Sequence, residues 1–183
     1  GIAGATILAL GRALGETLFV TGGGRLDWHS VAGAAISPRL AAVWEFETGH
    51  FLRGTVATGF RNPSLRELYF DMPLSVAPGV TPVVEGNRDL LAEKMRSSEL
   101  AYRFWEEDSP TRAEAIVYYN LVDRVVEFHP TAFFPSPPFP PATPSLIEPQ
   151  NSAKFEAYGL ELELEHELND SISVFGGYAF GIR

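Results

Sequence analysis

Apolar and polar residues alternate with a period of two along most of the chain. The pattern is clearest in residues 155–166, where Glu161, Glu163 and Glu165 alternate with leucines. Because a strand sends alternate side chains to opposite faces, this segment predicts a strand with one acidic face and one leucine face. The same alternation recurs in three other segments, residues 18–28, 36–47 and 97–105. The predicted fold class is therefore all-β.

Eight strands are predicted from this alternation and from the turn residues between segments. They lie near residues 2–13, 16–28, 35–48, 50–60, 94–106, 112–128, 152–167 and 171–180. Tight turns are predicted at residues 14–15, 48–49, 107–110 and 169–170, and longer links at 29–34, 61–93 and 129–151. Short turns on one rim and long loops on the other are typical of outer-membrane barrels. Several strands also exceed the roughly 9–11 residues that cross a bilayer at a tilt.

The side chains of the face that carries leucine and aromatic residues are predicted to face lipid. Those of the opposite, charged face are predicted to face the lumen of the barrel. The reason is energetic, since Lys or Arg on the lipid side costs roughly 2–4 kcal/mol at the bilayer midplane. No apolar run approaches the roughly 20 residues of a spanning helix. A soluble antiparallel sheet with one wet face has the same period of two and stays an alternative.

Composition excludes several other classes. The net charge of −9 argues against nucleic acid, and the absence of cysteine excludes disulfides and thiolate metal sites.

Asp27, His29 and Ser30 are close in sequence, but neighbouring strand positions face opposite sides and no nucleophile elbow is present. Gly22–Gly24 lacks the Lys and Ser/Thr of a phosphate loop. No catalytic residue, metal site or cofactor is predicted, and the protein is not expected to be an enzyme.

Several segments, read in order, resemble the barrel of TonB-dependent receptors over nearly the whole chain. They include LFVTGGGRLD, FLRGTVATGFRNPSLREL and NSAKFEAYGLELELEHEL. The residues that match the family's Gly-Phe-Arg-x-Pro…Glu-Leu signature and its strand re-entry segment are Gly59, Phe60, Arg61, Pro63, Glu67, Leu68, Asn87, Leu90 and Glu93. One departure is Ala92, where the family usually has Pro. That Pro only stiffens the entry into the next strand.

The resemblance implies an antiparallel transmembrane β-barrel of about 22 strands with a plugged lumen, of which about eight are present. Residues 1–183 would be a fragment of the barrel domain, with the plug absent. The implied function is energy-coupled import of a bulky, scarce nutrient, a ferric siderophore or similar metal chelate, across the Gram-negative outer membrane. The implied partners are the chelate, a TonB-type coupling protein reached through a missing N-terminal segment, and outer-membrane lipid. The alternatives are a small non-transporting barrel (adhesin or structural), a soluble sugar-binding sandwich, and haem or cobalamin as cargo.

Two long loops carry the candidate ligand residues. These candidates are Arg66, Tyr69, Phe70, Phe133, Phe134 and Phe139, the last three in a segment with seven prolines between Pro130 and Pro144. Proline stiffening lowers the entropy cost of presenting aromatic faces. The alternative is that these aromatics pack on neighbouring loops. Arg61 and Pro63 are interpreted as a structural corner, after which Ser64 and Glu67 have capping-box spacing for a short helix.

Overall fold

The computed structural model describes residues 3–29, 33–75, 80–136, 138–140 and 143–183. Within these residues the chain forms ten strands and one short helix. The strands are β1 (Ala3–Ala13), β2 (Leu18–His29), β3 (Gly33–Glu47), β4 (His50–Arg61), β5 (Met72–Pro73), β6 (Val83–Val84), β7 (Glu93–Phe104), β8 (Thr111–Phe133), β9 (Pro144–Asn169) and β10 (Ile172–Ile182), and the helix is α1 (Leu65–Tyr69). No helix of this part of the chain is long and apolar enough to cross a membrane.

All ten strands belong to one sheet. Its order is β1-β2-β3-β4-β7-β8-β9-β6-β5, and β10 also pairs with β9. Antiparallel pairing joins β1 to β2, β2 to β3, β3 to β4 and β9 to β10, for example with Leu18 opposite Trp44 between β2 and β3. In the described residues β1 pairs only with β2 and β10 only with β9, so the sheet is open at both edges. The all-β, antiparallel and partial fold predicted from the sequence is confirmed.

The short turns form where they were predicted. Gly15 and Gly49 adopt positive φ angles of 84° and 74°, which glycine reaches without a Cβ clash. The backbone N–H of Leu14 donates to the Leu18 carbonyl (2.7 Å), which closes the first turn. Residue 2 of the first predicted strand and residues 30–32 of the predicted link 29–34, which include Ser30 of the rejected enzyme cluster, lie outside the described residues.

The predicted loop at 129–151 requires a correction, because most of it is strand. β8 continues to Phe133 and β9 begins at Pro144, which leaves only residues 134–143 as the connection. The Phe134 N–H still donates to the Thr143 carbonyl at 2.9 Å, so the ladder continues one pair further. The prediction ended these strands too early because it took the prolines as strand breakers. Proline lacks only the backbone N–H donor, and its carbonyl can still accept a hydrogen bond in a sheet. The fully buried Pro149 accepts a hydrogen bond from Asn87 in this way.

The chain divides into two compact units, one of residues 1–59, 95–122 and 155–183, the other of residues 60–94 and 123–154. The sheet of the first unit has two chemically distinct faces. The apolar face carries exposed large hydrophobics, among them Leu8, Leu26, Leu40, Leu162 and Tyr178. The charged face carries the ion pairs Arg53–Glu99, Arg103–Glu114 and Arg112–Glu165. The strand register keeps the two sets apart, as the alternation predicted.

The second unit contains a small ordered loop structure inside the predicted link 61–93. α1 follows β4, and β5 and β6 form a short antiparallel pair. β6 also pairs parallel with β9, with Val83 opposite Leu146 and Val84 opposite Ile147. The N–H of Glu85 extends this pairing by donating to the Ile147 carbonyl (3.0 Å). The link is therefore attached to β9 by backbone hydrogen bonds.

Candidate functional site

Arg61 organises the corner where β4 leaves the sheet. Its Nε and a terminal nitrogen bind the two carboxylate oxygens of Glu93, each at 2.7 Å, in a bidentate pair. The same guanidinium also donates to Glu67 at 3.1–3.2 Å. Glu93 accepts the backbone N–H of Val126 as well, at 2.9 Å. One arginine thus connects the end of β4, the helix α1 and the start of β7.

The helix α1 begins with a complete capping box. The Glu67 N–H donates to the Ser64 hydroxyl (3.2 Å), and the Ser64 N–H donates to the Glu67 carboxylate (2.6 Å). Burial raises the pKa of Glu67, but the bond from Ser64 and the Arg61 guanidinium outweigh it, so the pKa lies below its ordinary value. The predicted corner and capping box are both present. This geometry supports a structural role for Arg61, Pro63 and Glu67.

Two asparagines fasten the returning segment. The side-chain oxygen of Asn151 accepts a hydrogen bond from the Leu91 N–H (2.8 Å). Its side-chain nitrogen donates to the carbonyls of Leu91 (3.0 Å) and Arg124 (2.7 Å). Asn87 donates to the Pro149 carbonyl at 3.0 Å, while its own N–H donates to the Glu67 carbonyl. Every side chain in this set is satisfied within the unit. The family motif residue Asn87 therefore has a positioning role.

A cavity of about 330 Å³ opens beside this corner, within the second unit. It is walled mainly by apolar side chains, with one cation and one anion at its rim. The lining residues are Arg66, Phe70, Met72, Leu74, Val84, Glu85, Gly86, Phe128 and Ile147. A cavity of this size with few polar groups suits an aromatic or aliphatic moiety of a ligand.

Two of the six predicted ligand residues meet in this cavity. Arg66 places its guanidinium carbon 5.7 Å from the centre of the Phe70 ring, and both side chains are exposed. Tyr69 does not line the cavity, and its ring instead lies under Arg88 at 5.0 Å. Two arginine–aromatic pairs therefore involve residues of α1, and only the pair Arg66–Phe70 borders the cavity.

The three predicted phenylalanines of the proline-rich segment do not line the cavity. Phe134 and Phe139 pack on each other with ring centres 4.6 Å apart, and Phe133 is half exposed. Their place is taken by Phe128 and Ile147, which sequence analysis did not single out. Both lie in the parts of β8 and β9 that were predicted to border or form a loop. No local sequence signal marks them, because their role depends on the pairing of β6 with β9.

His129 is the one histidine of the proline-rich link that could in principle bind iron, and it already has partners in the protein. Its Nε2 lies 2.5 Å from the Ser152 hydroxyl and 3.4 Å from a carboxylate oxygen of Glu127. A catalytic serine triad would need the serine and the carboxylate on opposite ring nitrogens, and here both approach the same one. Within the described residues no cluster of His, Asp and Glu could hold a metal ion.

A larger cavity, of about 800 Å³, lies on the sheet of the first unit. Both of its arginines are paired with carboxylates, since Arg103 contacts Glu114 at 2.8 Å and Arg112 contacts Glu165 at 3.5 Å and Glu167 at 3.3 Å. Its arginines are therefore already occupied by carboxylates of the same sheet and are not available to an anionic ligand. The smaller cavity of the second unit therefore has the better chemistry for ligand contact.

A long-stranded antiparallel sheet with one exposed apolar face, one charged face and short turns alternating with long links defines part of an outer-membrane β-barrel. Comparison with known proteins specifies which kind. Residues 10–183 match the family described as TonB dependent receptor-like, beta-barrel. The chain belongs to this family, as the resemblance of its motifs predicted, and this membership assigns it to the outer membrane.

Curated relatives and solved structures agree with this family. Two relatives from Vibrio cholerae serotype O1, both called iron-regulated outer membrane virulence protein, are 30% identical over 171 residues. The match covers 92% of this chain and 25% of each relative, so the chain spans about a quarter of their length.

The fold is shared with siderophore receptors of known structure. The siderophore receptor PirA from Pseudomonas aeruginosa matches with a TM-score of 0.74 and 22% identity, over 97% of this chain and 34% of that one. A variant of the ferric enterobactin receptor from the same organism, solved with enterobactin, matches with a TM-score of 0.79 and 21% identity, over 98% and 27%.

Proposed function

We propose that this chain is part of the barrel of a receptor that imports a ferric siderophore or a similar metal chelate across the outer membrane. The energy comes from a TonB-type coupling protein that acts on a plug domain. No bond is made or broken in such a process, so the protein has no catalytic residues. The observation that carries the proposal is the match of residues 10–183 to the receptor family, and a cavity in the second unit that is large enough for one arm of a chelate supports it.

We further propose that the cavity beside α1 receives one apolar or aromatic arm of the chelate. Arg66 supplies a positive charge at the rim, and the exposed Phe70 supplies an aromatic face next to it. A ferric chelate with anionic donor groups is complementary to this pair, because the guanidinium attracts the negative metal centre while the arm is desolvated. At about 330 Å³ the cavity accommodates an arm and not a whole chelate.

Transport is tested in cells that lack the gene of the complete receptor and are starved of iron. The receptor is restored on a plasmid, and uptake of radioactive iron is measured from ferric catecholate, ferric hydroxamate and haem, with cobalamin uptake measured in parallel. We expect receptor-dependent uptake of one ferric chelate that stops when the coupling protein is deleted. Uptake of haem or cobalamin alone would show that the proposed cargo is wrong. No uptake of any of the four compounds would favour a non-transporting barrel.

The contact site is tested by equilibrium binding of the transported chelate to the purified complete receptor. Arg66→Gln should weaken binding at least about tenfold, because one charge-assisted contact contributes roughly 1.5–3 kcal/mol when desolvated. Arg88→Gln is the matched control, since Arg88 also covers an aromatic ring of α1 and does not line the cavity. Equal loss of affinity in the two variants would indicate general attraction by positive charge and would remove the cavity from the proposal.

A further inference from the structure

The rim of the cavity in the second unit carries two opposite charges that are not paired with each other. Arg66 lies on α1 and Glu85 directly follows β6, and both side chains are exposed. The ion pairs of the described residues include neither of them. Arg61 of the same unit, by contrast, is held between two carboxylates. The cavity therefore offers one cation and one anion whose partners are not supplied by the described part of the chain.

The backbone around Glu85 fixes the place from which its carboxylate projects. The Glu85 N–H donates to the Ile147 carbonyl at 3.0 Å. The N–H groups of the next two residues donate to a carboxylate oxygen of Asp71 (3.2 Å) and to the Glu67 carbonyl (2.8 Å). Three consecutive N–H groups are thus bonded to β9, to the segment after α1 and to α1 itself. Because all three bonds would have to break before this segment could move away, Glu85 is kept at the rim.

Arg66 is held at the same rim by different contacts. The capping box fixes the start of α1, and the guanidinium carbon of Arg66 lies 5.7 Å from the centre of the Phe70 ring. Stacking on a ring occupies one face of the planar guanidinium and leaves the N–H donors, which lie in its plane, for a ligand. Both charges are therefore preorganised before any ligand arrives.

The wall of the cavity around these charges is apolar. Its side chains are those of Met72, Leu74, Val84, Phe128 and Ile147. A ligand that covers this wall excludes water from both rim charges, and a charge that loses water without gaining a partner is costly. A purely anionic arm would satisfy Arg66 and would leave the Glu85 carboxylate facing negative charge.

We propose that the cavity selects chelates whose arm carries a protonated amine, and that Glu85 is the residue that recognises it. The ammonium group contacts the Glu85 carboxylate, the aliphatic part of the arm lies on the apolar wall, and the anionic metal centre faces Arg66. The cargo class is then a ferric chelate built on an alkyl amine or a polyamine. An arm that ends in a carboxylate is disfavoured by repulsion from Glu85. This inference rests on the function proposed above for the cavity.

The test measures equilibrium binding of synthetic ferric chelates to the purified complete receptor. The probes are a ferric trihydroxamate and a ferric tricatecholate, each made in three forms. The arm ends in a primary amine, in the same amine after acetylation, or in a carboxylate after succinylation of the amine. Whichever chelate binds should bind about fivefold more tightly as the amine form than as the acetylated form, because a partly exposed charge pair contributes up to about this factor. The carboxylate form should bind most weakly.

Two substitutions assign this preference to one side chain. Glu85→Gln keeps the size of the side chain and removes its charge, so the preference for the amine form should disappear. Glu85→Lys should reverse the preference, so that the carboxylate form binds most tightly. Asp89→Asn is the matched control, because it removes an exposed carboxylate from the same link that does not line the cavity. It should keep the preference of the unaltered receptor.

The inference is overturned if the amine and acetylated forms bind alike, or if Glu85→Gln keeps the preference. It is also overturned if the receptor binds none of these probes and still imports iron from a chelate without an amine, a result that leaves the proposed function intact. No binding and no import from any ferric chelate would overturn both. Heat-modifiable mobility confirms assembly of each variant, and Glu85→Gln alone decides the question if Glu85→Lys does not assemble.

Discussion

Replacement of Arg61 by methionine is the sharpest test of how the second unit is held together. The change keeps most of the side-chain volume and removes the cation that joins Glu67 to Glu93. Both carboxylates are mostly buried, with 15% and 13% of their side-chain surface exposed. They would face one another without a cation and would lose their strongest hydrogen bonds.

The size of the effect follows from the exposure of the partners. An exposed ion pair contributes about 0–1 kcal/mol, and loss of one partner of a buried pair costs roughly 3–5 kcal/mol. Arg61 is 49% exposed while its partners are largely buried, so an intermediate cost of about 2 kcal/mol is expected. Since 1.4 kcal/mol is a factor of ten, local opening should become about 30-fold more frequent.

Hydrogen exchange, measured by mass spectrometry on the complete receptor, reports this opening. The informative amides are those of Ser64 and Val126, whose N–H groups donate to the two carboxylates. Peptides that contain them should exchange about 30-fold faster in Arg61→Met.

The matched control is Arg53→Met, which removes a similarly exposed arginine from a single pair with Glu99. It should cost less than about 1 kcal/mol, or a change in exchange of less than about fivefold. The reasoning is refuted if the Ser64 and Val126 peptides exchange alike in Arg61→Met and in the unaltered protein. Equal effects of Arg61→Met and Arg53→Met, each on its own neighbourhood, would also show that the shared geometry adds nothing.

Three further predictions address the lipid face, the cavity and pH. Leu162→Arg should block barrel assembly, at a cost of roughly 2–4 kcal/mol, while Glu163→Arg on the charged face is tolerated; heat-modifiable gel mobility distinguishes them, and equal assembly would contradict the assignment of faces. Gly86→Ala should weaken chelate binding at least about tenfold without blocking assembly, because its Cβ would lie 2.6 Å from the Tyr69 backbone nitrogen, whereas Gly54→Ala, with nothing within 4 Å, should bind normally. Because the pKa of Glu67 is lower in the folded loop than in the unfolded chain, its stabilisation is complete above its ordinary pKa of 4.5 and is lost as the pH falls through the folded value. A spin label on α1 should therefore be immobile from about pH 5 to 8 and become mobile below that range, and mobility independent of pH would contradict the role of this carboxylate.

Alternation was sufficient to predict the sheet because a strand has only two faces. Once the leucines of β9 are assigned to one face of the sheet, the alternation fixes the face of every other residue of β9. The pairing register then fixes the faces of the residues on the neighbouring strands. Irregular positions were not predictable in this way. The register shifts between Glu45 and Glu47, and Arg124 has a positive φ of 62°, which is rare for a residue with a side chain. Neither position has a glycine or another local signal.

The cavity was only partly predictable, for a reason of sequence distance. Arg66 lies on α1 and Phe70 is the C-cap residue that follows it, so the capping signal at Ser64 and Glu67 was enough to bring them to the same surface. The remaining walls come from pairing over long sequence separations. Val84 pairs with Ile147 through a parallel two-residue bridge, and such a bridge leaves no periodic pattern to recognise.

The two units owe their stability to different interactions, and this difference decides where substitutions will be harmful. The described chain buries only three hydrophobic residues below the surface, namely Leu68, Leu90 and Ala101. Two of these three belong to the second unit, where they accompany the bonds made by Arg61 and Asn151. The first unit instead exposes its large apolar side chains, so its favourable burial must come from lipid and not from a protein core. Substitutions in the first unit should therefore act through polarity on the apolar face, whereas in the second unit even a change that conserves volume should be costly when it removes a hydrogen-bonding group.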